Sequence, residues 1–281
     1  MSKLTITLPR APDILIDQQL QLIKKKNIMK NNIRIYHKYP SNMDIQKHEV
    51  INIGPNSNLL KAYKAQYPKL SQIQFETAIG LILGDAYIYT RNNTNTYGIK
   101  FEWGFKSKEY IDHIYNIYNE FILKEPHIYK RKNKNDNEVL TWRMETFSGV
   151  QFKELGDLFI KKSSLTKSGY IKSIPDNLVR NYLTPRGLAY WYMDDGNRCY
   201  YKGSRSKTDM NCVINTQGFK EEEVIKLINE INLKFNLELT LAFNKKNPII
   251  NIPNRNYDEF YELVQPYIID QMKYKLPDRF K

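Results

Sequence analysis

Two acids in this chain stand at matching places. Asp85 lies near the end of the run GLILGDAY and Asp195 near the end of YWYMDDG, and each is followed at once by a small residue, Ala86 or Gly196. Two carboxylates at close range repel each other unless a cation lies between them. Hard divalent cations take oxygen ligands, and Mg²⁺ combines one or two carboxylates with phosphate oxygens and water. Such a centre can polarise a phosphodiester and activate water. Asp194 is adjacent to Asp195, and the sequence alone does not choose between the two neighbours.

For these acids to meet, the helices that end at them must pack together. Ser71 followed by Gln74 is a capping-box pattern that predicts a helix over 72–84. Thr184–Pro185, an N-cap followed by proline, opens a second helix through RGLAYWYMDD. After the first helix, YIYTRNNTNTYGIKFEW reads as a hairpin and 108–123 has apolar residues at helical spacing. HIYKRKNKNDNEVLTWRMETF is a second hairpin with its turn at 133–137, and QFKELGDLFI a short helix. The order then repeats: hairpin NRCYYKGSRSKTDMNCVINTQ, helix EEEVIKLINEINLKF, hairpin LELTLAFNKKNPIINI, helix YDEFYELVQPYI. The fold class expected is α+β, two pseudo-symmetric αββαββα copies with antiparallel sheets. The bounds expected are 1–50 for an N-terminal extension, 51–165 for the first copy, 166–180 for a linker and 181–281 for the second copy. Gly80 and Gly84 lie four apart on one helix face, where missing side chains let two backbones approach.

Bulk composition narrows the partner. Lys and Arg outnumber Asp and Glu by 43 to 30, a net charge of +13, which points to a polyanion, nucleic acid before a membrane surface. No run of about 18 apolar residues exists, so no membrane span is expected. Cys199 and Cys212 make neither a disulfide framework nor a zinc site and read as small buried residues in a reducing compartment. His37, His48, His113 and His127 lack metal-ligand spacing, which argues against a zinc or histidine-based nuclease. Heavy use of Asn, Ile, Lys and Tyr suggests an AT-rich, organellar gene. Residues 1–50 read as an appended arm with no signal peptide, and Asp13 and Asp17 argue against a transit peptide.

Antiparallel ribbons can enter the major groove and read base edges. Alternation sets Thr141, Arg143 and Glu145 on one face of LTWRMET, with Leu140, Trp142 and Met144 on the other. The same rule groups Arg198, Tyr200 and Lys202, then Asn211, Asn215 and Gln217. Asn251 points outward, Tyr87, Tyr89 and Arg91 form a further row, and Lys100 is one more candidate. These are the candidate DNA-reading residues.

AIGLILGDA (78–86) and LAYWYMDDG (188–196) resemble the two nine-residue motifs of the LAGLIDADG homing endonucleases. The first matches at Gly80, Leu81, Ile82 and Asp85, the second at Leu188, Ala189, Asp195 and Gly196. Over about residues 50–281 the chain is similar to the single-chain, two-motif members encoded in mitochondrial group I introns, the yeast large-rRNA intron type among them. GPNSNLLKAYK, FEW, NYLTP, NTQ, NKKNPII and QMKYKLP carry that likeness. One departure is Tyr190, which stands at the motif's first glycine, where a ring would hold the helices apart.

The resemblance implies that the motif helices form the interface between the halves and that the sheets make a DNA-binding saddle. It implies that Asp85 and Asp195 hold Mg²⁺ (about two or three divalent ions, with Mn²⁺ able to substitute), helped by the carbonyls of Gly84 and Asp194. Lys172 and Lys275 would stand beside the scissile phosphates, and Glu102 and Asn244 around the water network. The implied activity is site-specific, Mg²⁺-dependent cutting of both strands of double-stranded DNA at a long asymmetric site. It would leave short 3′ overhangs and promote intron mobility, in a monomer of the mitochondrial matrix with no membrane partner. A maturase that binds its own intron RNA, with or without cleavage, is the rival. Paired acids favour cleavage, because a pure binder gains nothing by setting them against phosphates.

Overall fold

Capping residues fix where the helices begin. In a computed structural model, which describes residues 44–90, 95–164, 169–200 and 210–276, a helix α1 (Asn58–Ala65) precedes α2 (Gln72–Leu83). Ser71 Oγ accepts from Gln74 N at 3.3 Å and Gln74 Oε1 accepts from Ser71 N at 2.8 Å, closing the expected capping box. The first sheet follows, with β1 (Tyr87–Thr90), β2 (Tyr97–Gly104), β3 (His127–Lys132) and β4 (Glu138–Glu145) in the antiparallel order β1-β2-β4-β3. Between its hairpins lies α3 (Lys108–Ile117), and α4 (Lys153–Phe159) closes the half. The helix expected over 108–123 stops short at Ile117, and Asn119–Phe121 continues as a 3₁₀ turn.

Two short strands, β5 (Ile160–Lys162) and β6 (Tyr170–Lys172), pair with Ile160 opposite Lys172, so part of the segment read as linker is a ribbon. Then come α5 (Leu178–Asn181) and α6 (Pro185–Asp195), the latter capped by Thr184 Oγ1 accepting from Gly187 N. The second half adds β7 (Gly196–Tyr200), β8 (Met210–Asn215), α7 (Glu221–Phe235), β9 (Thr240–Asn244), β10 (Asn247–Ile252) and α8 (Tyr257–Val264). Its sheet order, β7-β8-β10-β9, repeats that of the first. Within residues 51–281 the structure is the expected α+β pair of copies. Residues 1–43, most of the expected extension, lie outside the described residues.

Helices α2 and α6 pack face to face at glycine. A methyl on Gly80 would sit 2.0 Å from the Gly187 carbonyl oxygen, and one on Gly187 would sit 3.0 Å from the Glu76 carbonyl oxygen. Gly187 precedes the second motif, and it supplies the room that the motif's first glycine would have given. Tyr190 does not hold the helices apart: it is 2% exposed, and its hydroxyl lies 2.7 Å from His113 Nε2 on α3.

The end of the linker is held by α7. Glu230 accepts from Asn177 N and Val179 N at 2.9 Å and from Arg180 N at 3.3 Å, capping the short α5 from outside it. Removing a cap costs about 1–2 kcal/mol. Glu230→Ala is therefore expected to lower unfolding stability by about that much, read as a shift of the urea midpoint with unchanged slope.

Candidate active site at the end of the helix pair

Both helices run out at the same end of the molecule, and the chain turns into a strand with almost no loop. Gly84 caps α2 through its N–H to Gly80 O at 3.0 Å, and β1 starts two residues after Asp85. Asp195 is the last residue of α6, and Gly196 the first of β7. Asp85, Asp194, Asp195, Lys172 and Lys275 gather here closely enough to shift one another's protonation. Lys172 arrives at the end of β6, its ammonium 5.5 Å from the centre of the Phe219 ring. Lys275 ends the 3₁₀ turn Asp270–Lys275, and its Nζ donates to Asp194 O at 2.8 Å and to Met193 O. Tyr192 OH in turn donates to Lys275 O at 2.8 Å, so this turn is strapped to the last turn of α6.

The acids are crowded. Burial, then the charge of Asp85, pushes the Asp195 carboxyl up to about 7, against the pull of Lys172 and Lys275. Asp85 opens to solvent, yet the protein packed around it also raises its pKa, opposed by both lysines. Burial lowers the pKa of each lysine, and the three aspartates oppose that.

Asp194 differs from its neighbour. Its Oδ1 accepts from Tyr110 OH at 2.9 Å and Trp103 Nε1 at 3.1 Å, and its Oδ2 from Asp85 N at 3.1 Å. Burial and the Asp85 charge push this carboxyl well above its usual range, while the Asp85 amide and Tyr110 pull it down. Three protein donors already occupy the Asp194 carboxylate. Among the described residues no group of three or more acids, histidines or cysteines is set to hold a metal ion. The donors on hand are thus two carboxylates plus backbone carbonyls, one of which, Asp194 O, already accepts from Lys275. That set suits a hard cation that completes its shell with phosphate and water, as Mg²⁺ does.

The open face of each sheet continues from the acids. Tyr87 lies opposite Lys100 and Lys100 opposite Glu145, and the same register carried two residues back sets Glu102 across from Asp85. Glu102 is a hub: Oε2 accepts from Arg143 Nε and Nη2 at 3.1 and 2.7 Å, Oε1 accepts from Thr141 Oγ1 at 3.0 Å, and Arg131 lies 3.7 Å away. The Arg143 guanidinium also lies 3.5 Å from the centre of the Tyr129 ring, so this arginine is fixed before any ligand arrives. Thr141 is only 5% exposed. In the second sheet, Asn251 Nδ2 donates to Thr240 Oγ1 at 2.9 Å and Gln217 Nε2 to Asn215 Oδ1 at 3.1 Å.

Two expectations need correction. Asn244 is not beside Asp195. It ends β9 at the far turn, opposite Asn247. The residue across from Asp195 is Asn215, whose Nδ2 donates to Asp195 O at 2.8 Å. Arg198 does not share the open face. It pairs with Cys212, which is 1% exposed, and its charge acts on Tyr192 of α6. Because β7 begins directly after Asp195, strand parity is set by the acid, so Asn197 is the exposed neighbour on the open face. Arg91 and Lys202 lie outside the described residues, as do the side chains of Cys199, Tyr200 and Asn211.

A family model described as the LAGLIDADG DNA endonuclease family matches residues 75–260. A probable intron-encoded endonuclease 1 of Wickerhamomyces canadensis is 47% identical over 232 residues, covering 83% of this chain and 96% of that protein. A probable intron-encoded DNA endonuclease 3 of Mycosarcoma maydis is 33% identical over 143 residues, covering 50% of this chain and 97% of that protein. A solved structure of the homing endonuclease I-WcaI bound to its DNA recognition sequence is similar at a TM-score of 0.73 and 47% identity, covering 83% of this chain and 98% of that one.

Proposed function

Since this chain belongs to the LAGLIDADG DNA endonuclease family, we propose that it is a homing endonuclease that binds a long, asymmetric duplex DNA site and hydrolyses both strands. The observation that carries this reading is the meeting of Asp85 and Asp195, with Lys172 and Lys275, at one end of the helix pair. Asp85 and Asp195, with the carbonyls of Gly84 and Asp194, would hold divalent ions, Mg²⁺ by preference. When bound, such an ion supplies Lewis-acid polarisation of the phosphodiester and a more acidic water. Lys172 and Lys275 place ammonium groups where negative charge grows on the phosphate. Glu102 and Asn215 orient what surrounds the two acids, one as a carboxylate hub and one through the Asp195 carbonyl. The net charge of +13 supports binding to the DNA backbone, with affinity that falls as salt rises. One chain supplies both acids, so it acts as a monomer. Its two copies are 51–165 and 181–281, joined by 166–180. Intron-encoded relatives support an organellar setting, which we place in the mitochondrial matrix.

Asp195 must shed its proton to act as a ligand. With its pKa near 7 before any cation is present, the apparent affinity for Mg²⁺ rises with pH up to about 7 and levels off above it. Cleavage at limiting Mg²⁺ follows the same limb, measured as single-turnover rates across pH. A rate flat through pH 6 to about 8 contradicts the assignment.

Duplex DNA from an allele without the intron is the substrate that tests the function. The protein is expected to linearise it with Mg²⁺, to leave it intact with EDTA, and to spare the allele that carries the intron. An uncut intronless allele, with the intron RNA bound instead, supports the maturase.

A further inference from the structure

The second half reaches across the interface with the side chain of Asp194. Asp194 belongs to α6, yet among the described residues the donors on its carboxylate come from the first half: Trp103 on β2, Tyr110 on α3 and the backbone N–H of Asp85. The last of these is the amide of the other half's acid. Gly84 makes the contact possible, since a methyl there would lie 2.6 Å from both Cβ and Oδ2 of Asp194. Two rigid anchors, a buried indole and a buried phenol, hold the carboxylate from one side, and the chain at Asp85 hangs from its other oxygen.

We infer that Asp194 is a positioning residue, whose carboxylate fixes the backbone at Asp85 and so sets the distance between the two acids across the interface. It acts through Asp85 and not on the DNA. The Asp85 N–H donates to a carboxyl oxygen that two buried side chains hold in place, and a shift of about 1 Å in a reacting group can cost on the order of a hundredfold in rate. The inference rests on Asp85 being a catalytic acid.

Asp194→Asn keeps the shape of the side chain. Its one carbonyl oxygen can serve Tyr110 and Trp103, but its NH₂ then faces the Asp85 N–H, donor against donor. Tyr110→Phe removes a different hydrogen bond from the same carboxylate and leaves the Asp85 contact in place. Both variants should stay folded and bind duplex DNA with unchanged Kd. Single-turnover cleavage should fall at least tenfold in Asp194→Asn and less than about threefold in Tyr110→Phe. The Asp85 amide resonance, read without divalent ions, should move in Asp194→Asn and hold nearly still in Tyr110→Phe. Equal slowing in the two variants, or a folded Asp194→Asn that cuts at the wild-type rate, overturns the inference. If Asp194→Asn does not fold, Asp194→Ser, which leaves room for water, takes its place with the same expected result. Failure of both to fold would mean that the carboxylate serves the fold alone, and overturns the inference too. A wild-type protein that cuts no DNA defeats the endonuclease reading instead, and the amide resonance still decides the Asp194–Asp85 contact.

Discussion

Asp195→Asn is expected to lose double-strand cleavage by on the order of a thousandfold or more and, at neutral pH without divalent ions, to fold more stably than the wild type. The first effect follows from the loss of one of the two proposed carboxylate ligands, since stabilisation of the transition state worth about several kcal/mol would go with it. The second follows from the sign of the pKa shift. The folded-state value, about 7, lies above the 3.8 of an unperturbed aspartate. The fold therefore favours the protonated form, and stability is lost as pH rises from about 4 to about 7. Asparagine carries no charge to desolvate and none to oppose Asp85, so the penalty vanishes. Asp85→Asn should lose cleavage in the same way, while DNA affinity in both variants stays equal or tightens as a negative charge beside phosphates is removed. Quenched time courses, gel shifts and melting curves in EDTA read these three quantities. An Asp195→Asn protein that is less stable at neutral pH contradicts the crowding of the acids, and one that still makes linear DNA at the wild-type rate contradicts their role.

Gly80→Ala should destabilise the protein by about 2 kcal/mol or more, although alanine is the better helix former by about 1 kcal/mol. Packing outweighs propensity here because the new methyl would meet the Gly187 carbonyl oxygen at 2.0 Å. Backbone cannot swing aside as a flexible side chain can, so α2 and α6 must part along the interface between the halves. Their separation also spreads Asp85 from Asp195, and cleavage should fall with stability. Gly54→Ala is the control: nothing lies within 4 Å of its added methyl, and no comparable loss is expected. Urea unfolding distinguishes the two variants, and equal midpoints for both would refute close packing at Gly80.

The acids were legible because each ends an apolar run at the same point of a repeated pattern, and the helices because their caps are local in sequence. What remained hidden depends on partners distant in the chain. Gly187 sits one residue before the second motif, and only the crossing of the two helices shows its use. The β5–β6 ribbon that delivers Lys172 is too short, and too rich in Ser and Lys, to leave an alternating signal. Alternation within NRCYYK alone does not give the face of Arg198, because a strand that follows a helix without a loop takes its phase from the helix's last residue, Asp195. Asn215 answers to Asp195 only through strand pairing. The choice between Asp194 and Asp195 needed Trp103 and Tyr110, more than 80 residues upstream, to show which carboxylate is already bound.

The proposed function requires cutting of both strands of one long duplex site with a divalent ion held between the two halves. Sequencing every DNA end made in intronless organellar DNA, with Mg²⁺ and with EDTA, tests it most directly. Ends are expected at one locus, on both strands, offset to leave a short 3′ overhang, and present only with Mg²⁺. Ends that persist in EDTA, fall on a single strand or scatter without a common site would contradict it.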